Sequence, residues 1–404
     1  MSRRSLIPLI SLVLVLLTGC AQRESDVGRS AITGNPTDRF AVTSAKATHS
    51  ASWHPQFSNA RGTILQIGNA RHLYAFTVLR FEFGGGLLDS VRADTMYRVD
   101  TVSVRLYKAG VWPEGDSTAV EVRVREIQES WDENTLLQGT LAGREGYPII
   151  DSLRVSTAPN DTFFVMQIPA VLWTRWIQQD STTYGLLIEP RESGELVQFY
   201  SNQELLISYY PPQLHIAGVN RHADTAFVSN RTATNDGYLV LDSTAKSPDR
   251  LYISRGLPGR AALYFPLDTL SHVFARSVNR AELHIFADTL DPAVLRYTSF
   301  TTTPLYGYLL DSSWISTPDS LLTTRILGRE LSGRTSWDIT TSEYTMDVTT
   351  AVASWVDNPR TNWGMQLLAS DELGLLAREV FYAPSAADST KQPKLYIWYT
   401  EPTP

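Results

Sequence analysis

The strongest constraint on this chain is that it repeats itself at long range. Trp176 and Trp355 lie 179 positions apart, and Tyr184-Gly185 and Trp363-Gly364 share that spacing. Val104-Arg105-Leu106-Tyr107 precedes Leu283-His284-Ile285-Phe286 by 179, and Phe199-Tyr200 precedes Phe381-Tyr382 by 182. Pro212 to Ile216 matches Pro393 to Ile397 at 181, and Leu79-Arg80-Phe81 matches Leu263-Tyr264-Phe265 at 184. Collinear matches with a slowly drifting offset mean a duplicated domain with small loop insertions, at a period far longer than that of solenoids. The boundary is expected near Gly218, giving one domain over 46–217 and a second over 218–404.

Each copy is β-rich. Val102 to Tyr107, Val120 to Arg125 and Ala281 to Phe286 alternate apolar and polar residues. Period-two alternation in Val, Thr, Tyr and Phe predicts half-buried strands. Many such strands punctuated by Gly, Pro, Asn and Asp predict a sandwich or jelly roll. One helix is predicted per copy. Val348, Ala351, Val352 and Trp355 fall on one helical face behind a capping Asp347. Ile168, Val171, Leu172 and Trp176 repeat the pattern, with Pro169 suited to a first turn. The expected fold is all-β, two tandem β-sandwich, jelly-roll-like domains, each with one short helix.

Composition narrows the function classes. Lys and Arg number 35 against 42 Asp and Glu, a formal charge of −7, which argues against a nucleic-acid partner. Hydrophobic residues at 43% and charged residues at 19% exclude disorder throughout. The one cysteine, Cys20, excludes an internal disulfide framework and a Cys-rich zinc site.

Cys20 has a different context. Arg3 and Arg4 precede an apolar run from Leu6 to Leu17, too short to span a bilayer and typical of a secretory signal. The run ends Leu17-Thr18-Gly19-Cys20, which resembles the lipobox of bacterial lipoproteins. That resemblance implies cleavage before Cys20, its lipidation, and a membrane partner reached through the lipid anchor. Ala21 in place of Asp implies the bacterial outer membrane, periplasmic or surface-facing. Residues 1–20 are thus expected to be a signal peptide and 21–45 a flexible linker.

The repeated unit resembles the DNRLRE-type domains and the related alginate-binding type of carbohydrate-binding module. The matching residues are Leu79 to Glu82, Val104 to Tyr107, Ser130-Trp131-Asp132-Glu133, Ala281 to Phe286, Asp347-Val348-Thr349, Val352, Trp355, Asn362-Trp363-Gly364 and Pro393-Lys394-Leu395. Coverage is most of 46–400. The resemblance implies a jelly roll on exported bacterial proteins.

Catalytic signatures are missing: no G-x-S-x-G, P-loop, H-E-x-x-H or G-x-G-x-x-G occurs. No catalytic pair can be selected from spacing, so a non-enzyme is expected. His215 and His284 read as ordinary strand-face residues. No cofactor is implied. A structural calcium is a further option, with Asp288, Asp291, Asp357 and Asn358 as conceivable loop donors, turn formation explaining them equally well. Trp53, Trp112 and Trp337 lie outside the repeat frame in turn-rich segments and are the expected exposed platform for a sugar ring. The expected function is a lipid-anchored surface protein binding extracellular polysaccharide. The alternative is a structural envelope component engaging a protein partner.

Overall fold

The computed structural model describes residues 39–54, 62–83, 91, 96–112, 119–136, 141–158, 160–179, 184–191, 194–203, 210–257, 259–267, 278–295, 304–315, 336–338 and 340–401. The protein is an all-β sandwich fold built as two units of the same topology. Among the described residues it has two α-helices, α1 (Ala170–Gln179) and α2 (Thr349–Asp357), one in each unit.

In the first unit the strand Tyr97–Trp112 belongs to both layers. Its first half pairs with Gln213–Asn220, and its last residues pair with Leu196–Tyr200. One strand thereby joins the two layers into a curled sheet. The layer containing Ile64–Ala70, Leu73–Arg80, Leu186–Pro190 and Ala119–Glu126 faces the layer containing Gln213–Asn220 and Phe163–Gln167 across one core. Alternation sets the faces: Val104 and Leu106 point into that core, while Arg105 and Tyr107 point out.

The second unit has the equivalent strands divided among separate sheets, with the single bridge Ala287–Phe381 where the first unit has a ladder. Val278–Phe286 lies between Lys394–Glu401 and Glu343–Asp347, and Arg260–Tyr264 pairs with Met365–Ala369. The duplicated spacings fall on duplicated contacts. Trp131 Nε1 donates to the Tyr184 carbonyl at 2.6 Å, and Trp314 Nε1 donates to the Trp363 carbonyl at 2.8 Å. Gly185 (φ +103°) and Gly364 (φ +82°) press against the carbonyls of Leu79 and Leu263. A Cβ there would sit 2.0 and 2.3 Å from those oxygens, so both positions require glycine.

The sheets do not divide at the expected 217/218 boundary. Thr225–Thr232 pairs along its full length with Gln213–Asn220, and Asn235–Asp242 pairs with Leu73–Arg80. The first unit is therefore a continuous stretch of chain ending at Asp242. The second lacks these two strands in its own half and takes them from the chain's beginning. Arg39–Lys46 pairs with Lys394–Glu401, and His49–Trp53 pairs with Arg260–Tyr264. Equivalent pairs stand in equivalent register: Thr43 opposes Ile397 as Ser229 opposes Ile216, and Ala51 opposes Ala262 as Gly237 opposes Val78. Both strands are thus offset by 186 from their counterparts. Residues 39–45, expected as linker, are therefore strand. The segment is short and weakly apolar, and only its partner strand reveals its role. Residues 1–38 lie outside the described residues.

The helices depart slightly from expectation. Asp347 accepts from Thr349 N at 2.9 Å, but the residue at the cap of α2 is Val348. Pro169 sits just before α1, its carbonyl accepting from Trp173 N at 3.0 Å.

Polar side chains bind the units to each other. Gln66 Nε2 and Tyr238 Oη both donate to the Gly256 carbonyl, at 2.8 and 2.7 Å. Arg378, 1% exposed, donates to Asp242 Oδ2 at 2.8 Å and to Thr244 Oγ1 at 3.1 Å. Burial opposes ionisation of Asp242, but the hydrogen bond from His54 and the Arg378 charge together hold its carboxyl well below the usual range. Removing one partner of such a pair strands the other charge, at about 3–5 kcal/mol.

Asp236 behaves oppositely. It is fully buried, accepts from Asn202 N at 2.7 Å, and is pushed by burial up to about 8. It is protonated in the folded protein across the range where the unfolded chain ionises it. Its contribution is complete below pH ~4 and lost as pH rises through about 8. The unfolding free energy from urea titrations should therefore fall by on the order of 1 kcal/mol per pH unit across this window, and Asp236→Asn should flatten that dependence. A variant with the wild-type slope would remove Asp236 as its source.

The closure gives a second prediction. A fragment spanning 62–243 should fold alone, with cooperative unfolding and dispersed NMR signals. A fragment spanning 244–404 should not, until 39–54 is supplied as a peptide or fused to it. A folded 244–404 fragment on its own would contradict the closure.

Candidate ligand-binding faces

The strand Lys394–Glu401 sets the first candidate surface. Leu395 and Ile397 point into the core of the second unit, so Tyr396 and Trp398 point outward, each partly exposed. Register places Glu282 beside Tyr396, Arg280 beside Trp398 and His284 beside Lys394. The outer face carries a row of rings. His284 meets Tyr396 edge-on at 4.7 Å, and Tyr396 lies 6.4 Å from Trp398. Arg280 sits 5.3 Å over the Trp398 ring, and Lys391 sits 4.7 Å from that of Phe286. His284 is held between carboxylates, Nδ1 at 2.5 Å from Glu343 and Nε2 at 3.4 Å from Glu282. Rings are thus fixed in place beside hydrogen-bonding groups that reach solvent.

The same face of the first unit is more apolar. Tyr107 lies 6.1 Å from Phe163 and 5.0 Å from Tyr210, and Tyr210 stacks on Tyr200 at 6.0 Å. Phe163 is 48% exposed and Tyr210 41%. Arg105 covers the Phe163 ring at 5.0 Å. Arg105 and Tyr107 are the counterparts of His284 and Phe286, and His215 is that of Tyr396. His215 bonds Asn230 at 2.8 Å. Both histidines are strand-face residues, as their alternation indicates.

The opposite layer of the first unit holds a cleft of about 500 Å³ lined by Tyr74, Glu121, Arg123, Arg125, Glu189 and Arg191, among others. Its floor is a buried ion pair. Arg125 Nε donates to Glu189 Oε1 at 2.5 Å, and its Nη1 donates to the Tyr147 carbonyl at 2.7 Å. Arg123 Nη1 lies 3.7 Å from Glu189, and Arg154 occupies Glu121 at 2.8 Å. Tyr74 Oη donates to the Pro190 carbonyl at 3.3 Å. Burial, reinforced by the Glu189 charge, pushes the Tyr74 phenol up to about 12. Such a phenol is a poor base at neutral pH.

The expected platform residues are placed elsewhere. Trp53 is 6% exposed and packs with Ala262, Leu310 and Trp314. It lies inside the repeat frame after all, since its register partner Arg260 makes it the counterpart of Leu239 opposite Phe76. Trp112 is 2% exposed, with Arg71 5.4 Å from its ring. Neither offers a ring to solvent. The backbone of Trp337 lies in the strand Ser336–Asp338, and its side chain, like Cys20, lies outside the described residues.

Two of the conceivable calcium donors, Asp288 and Asp291, have other partners. Arg250 binds Asp288 Oδ2 at 2.8 Å and lies 3.9 Å from Asp291 Oδ2. Asp288 and Asp291 also accept from the backbone of Leu290 and Ala293. Asp357 ends α2, and Asn358 follows it with its N–H bonded to the Ser354 carbonyl. Among the described residues no group of three or more His, Cys, Asp or Glu side chains is placed to hold a metal ion.

The outward pair Tyr396 and Trp398 is absent from the sequence expectation. Its signal was the alternation Leu395-Tyr396-Ile397-Trp398, in which the aromatics take the polar positions.

Comparisons with known proteins add little. No protein-family model matches the chain, and no curated protein matches it. Among solved structures it is similar to the Macrobrachium rosenbergii nodavirus structure, at 9% identity over 91% of this chain and 92% of that one. The TM-score is 0.13, which carries no argument. Among the described residues no helix is long and apolar enough to cross a membrane.

Proposed function

We propose that this chain is an exported, lipid-anchored, non-catalytic protein of the bacterial outer membrane that binds extracellular polysaccharide. The observation that carries the reading is the row His284, Tyr396 and Trp398 on the outer face of the second unit. Sugar rings present C–H faces that stack on such side chains, and their hydroxyls bond the adjacent carboxylates and guanidinium. The cleft around Arg123 adds a place for a carboxylate or a cluster of hydroxyls.

The alternative reading, a structural envelope component with a protein partner, draws on the first unit. Its Phe163, Val165 and Tyr210 form an exposed apolar strip of the kind that protein partners cover.

A glycan array separates the two. The soluble chain should bind polysaccharide. Trp398→Ala and Tyr396→Ala should each weaken it several-fold to about tenfold, in line with the loss of one ring contact. Arg123→Ala should weaken acidic glycans only. Absence of binding to any glycan, with an envelope protein captured through Phe163, would transfer the role to a protein partner. In cells, Cys20→Ser should abolish incorporation of labelled palmitate. Retained label would sink the lipid anchor.

A further inference from the structure

Arg39–Lys46 and Thr225–Thr232 are among the strands that end sheets, and among the described residues no strand pairs with the outer side of either. Their mid-strand valines, Val42 and Val228, are repeat counterparts and are 56% and 59% exposed. Soluble sheets usually guard such edges with charge, proline or a bulge. Arg39–Lys46 has a basic residue at each end. Thr225–Thr232 (TAFVSNRT) has neither proline nor lysine, and a single charge, Arg231. Its ladder to Gln213–Asn220 runs through eight unbroken pairs. A regular inner ladder leaves a regular row of outward-facing backbone groups on the other side.

We infer that Thr225–Thr232 is a strand-addition surface whose partner is the same strand of a second copy, paired antiparallel about a two-fold axis at Val228. An axis perpendicular to the sheet keeps each face continuous, so only residues of like parity oppose each other. Centred on Val228, the two valines meet on the exposed face. Ala226 then opposes Asn230, Phe227 opposes Ser229 and Thr225 opposes Arg231. No charge faces a like charge, and an exposed apolar side chain gains an apolar neighbour. The interface is isologous and closes at two copies. It is a small one, so self-association is of the weak class.

The test uses the full chain in a Cys20→Ser background, so that only an introduced thiol reacts. Sedimentation should show a monomer–dimer equilibrium. Val228→Lys would set two ammonium groups directly opposite and should weaken it at least about tenfold. Val228→Cys should give a disulfide-linked dimer on mild oxidation, because opposed Cβ atoms in such a ladder approach bonding range. Val42→Cys, equally exposed on the other edge, should stay monomeric. Circular dichroism checks that the variants fold, and the cysteine result stands even where Val228→Lys does not. A wild-type chain that stays monomeric at high concentration with no Val228→Cys cross-link would overturn the inference. So would equal cross-linking through Val42→Cys.

Discussion

The fold depends on a ladder between its two ends. Arg39–Lys46 lies along Lys394–Glu401 through eight pairs, and Ala45 and Ala47 enter the core of the second unit. His49–Trp53 then supplies the Trp53 ring that fills the space between Ala262, Leu310 and Trp314. Emptying a buried site of that size costs about 3–5 kcal/mol, comparable with a large share of a domain's net stability. Without these strands the second unit would present two bare strand edges and a cavity. The first unit has no such debt, because Gln213–Asn220 turns directly into Thr225–Thr232. The same hairpin exists in both units, continuous in one and made from the two ends in the other.

Closure makes the chain leave one unit at Trp53 and the other at Asp242, and His54 stands beside Asp242 where the units meet. His54 Nε2 lies 3.4 Å from Asp242 and 2.7 Å from Lys246 Nζ. Arg378 reaches the same carboxylate from the second unit's strand Ala377–Tyr382. Backbone that leaves one sheet before joining another has groups that no ladder satisfies. The charged contacts seen there run between side chains, and Arg378 and Asp242 join the two units.

Duplication, strand-rich alternation and the two helices were legible because each is a local or collinear pattern. The duplicated bonds of Trp131 and Trp314 follow directly from the 183-residue spacing of those residues. The donated strands were not legible. Among the described side chains of Arg39–Lys46 only Ala45 is buried, and only a partner 348 to 362 positions away identifies the strand. The candidate face failed for a related reason. Trp53 and Trp112 stood out by their turn-rich surroundings, yet burial is decided by the opposing layer. Tyr396 and Trp398 stood in a well-formed strand, where aromatics normally signal core.

The end-to-end ladder also decides how a pull on the chain travels. Whatever holds residues 1–38 holds the second unit first, because the chain enters through that unit's sheet edge. The first unit hangs beyond it, reached through the segment after Trp53 and the one after Asp242. A load between the N-terminal side and a partner gripping the first unit therefore runs through both connections and the Arg378–Asp242 pair. A load taken by the face around Trp398 bypasses them and stays within a single sheet, between neighbouring strands.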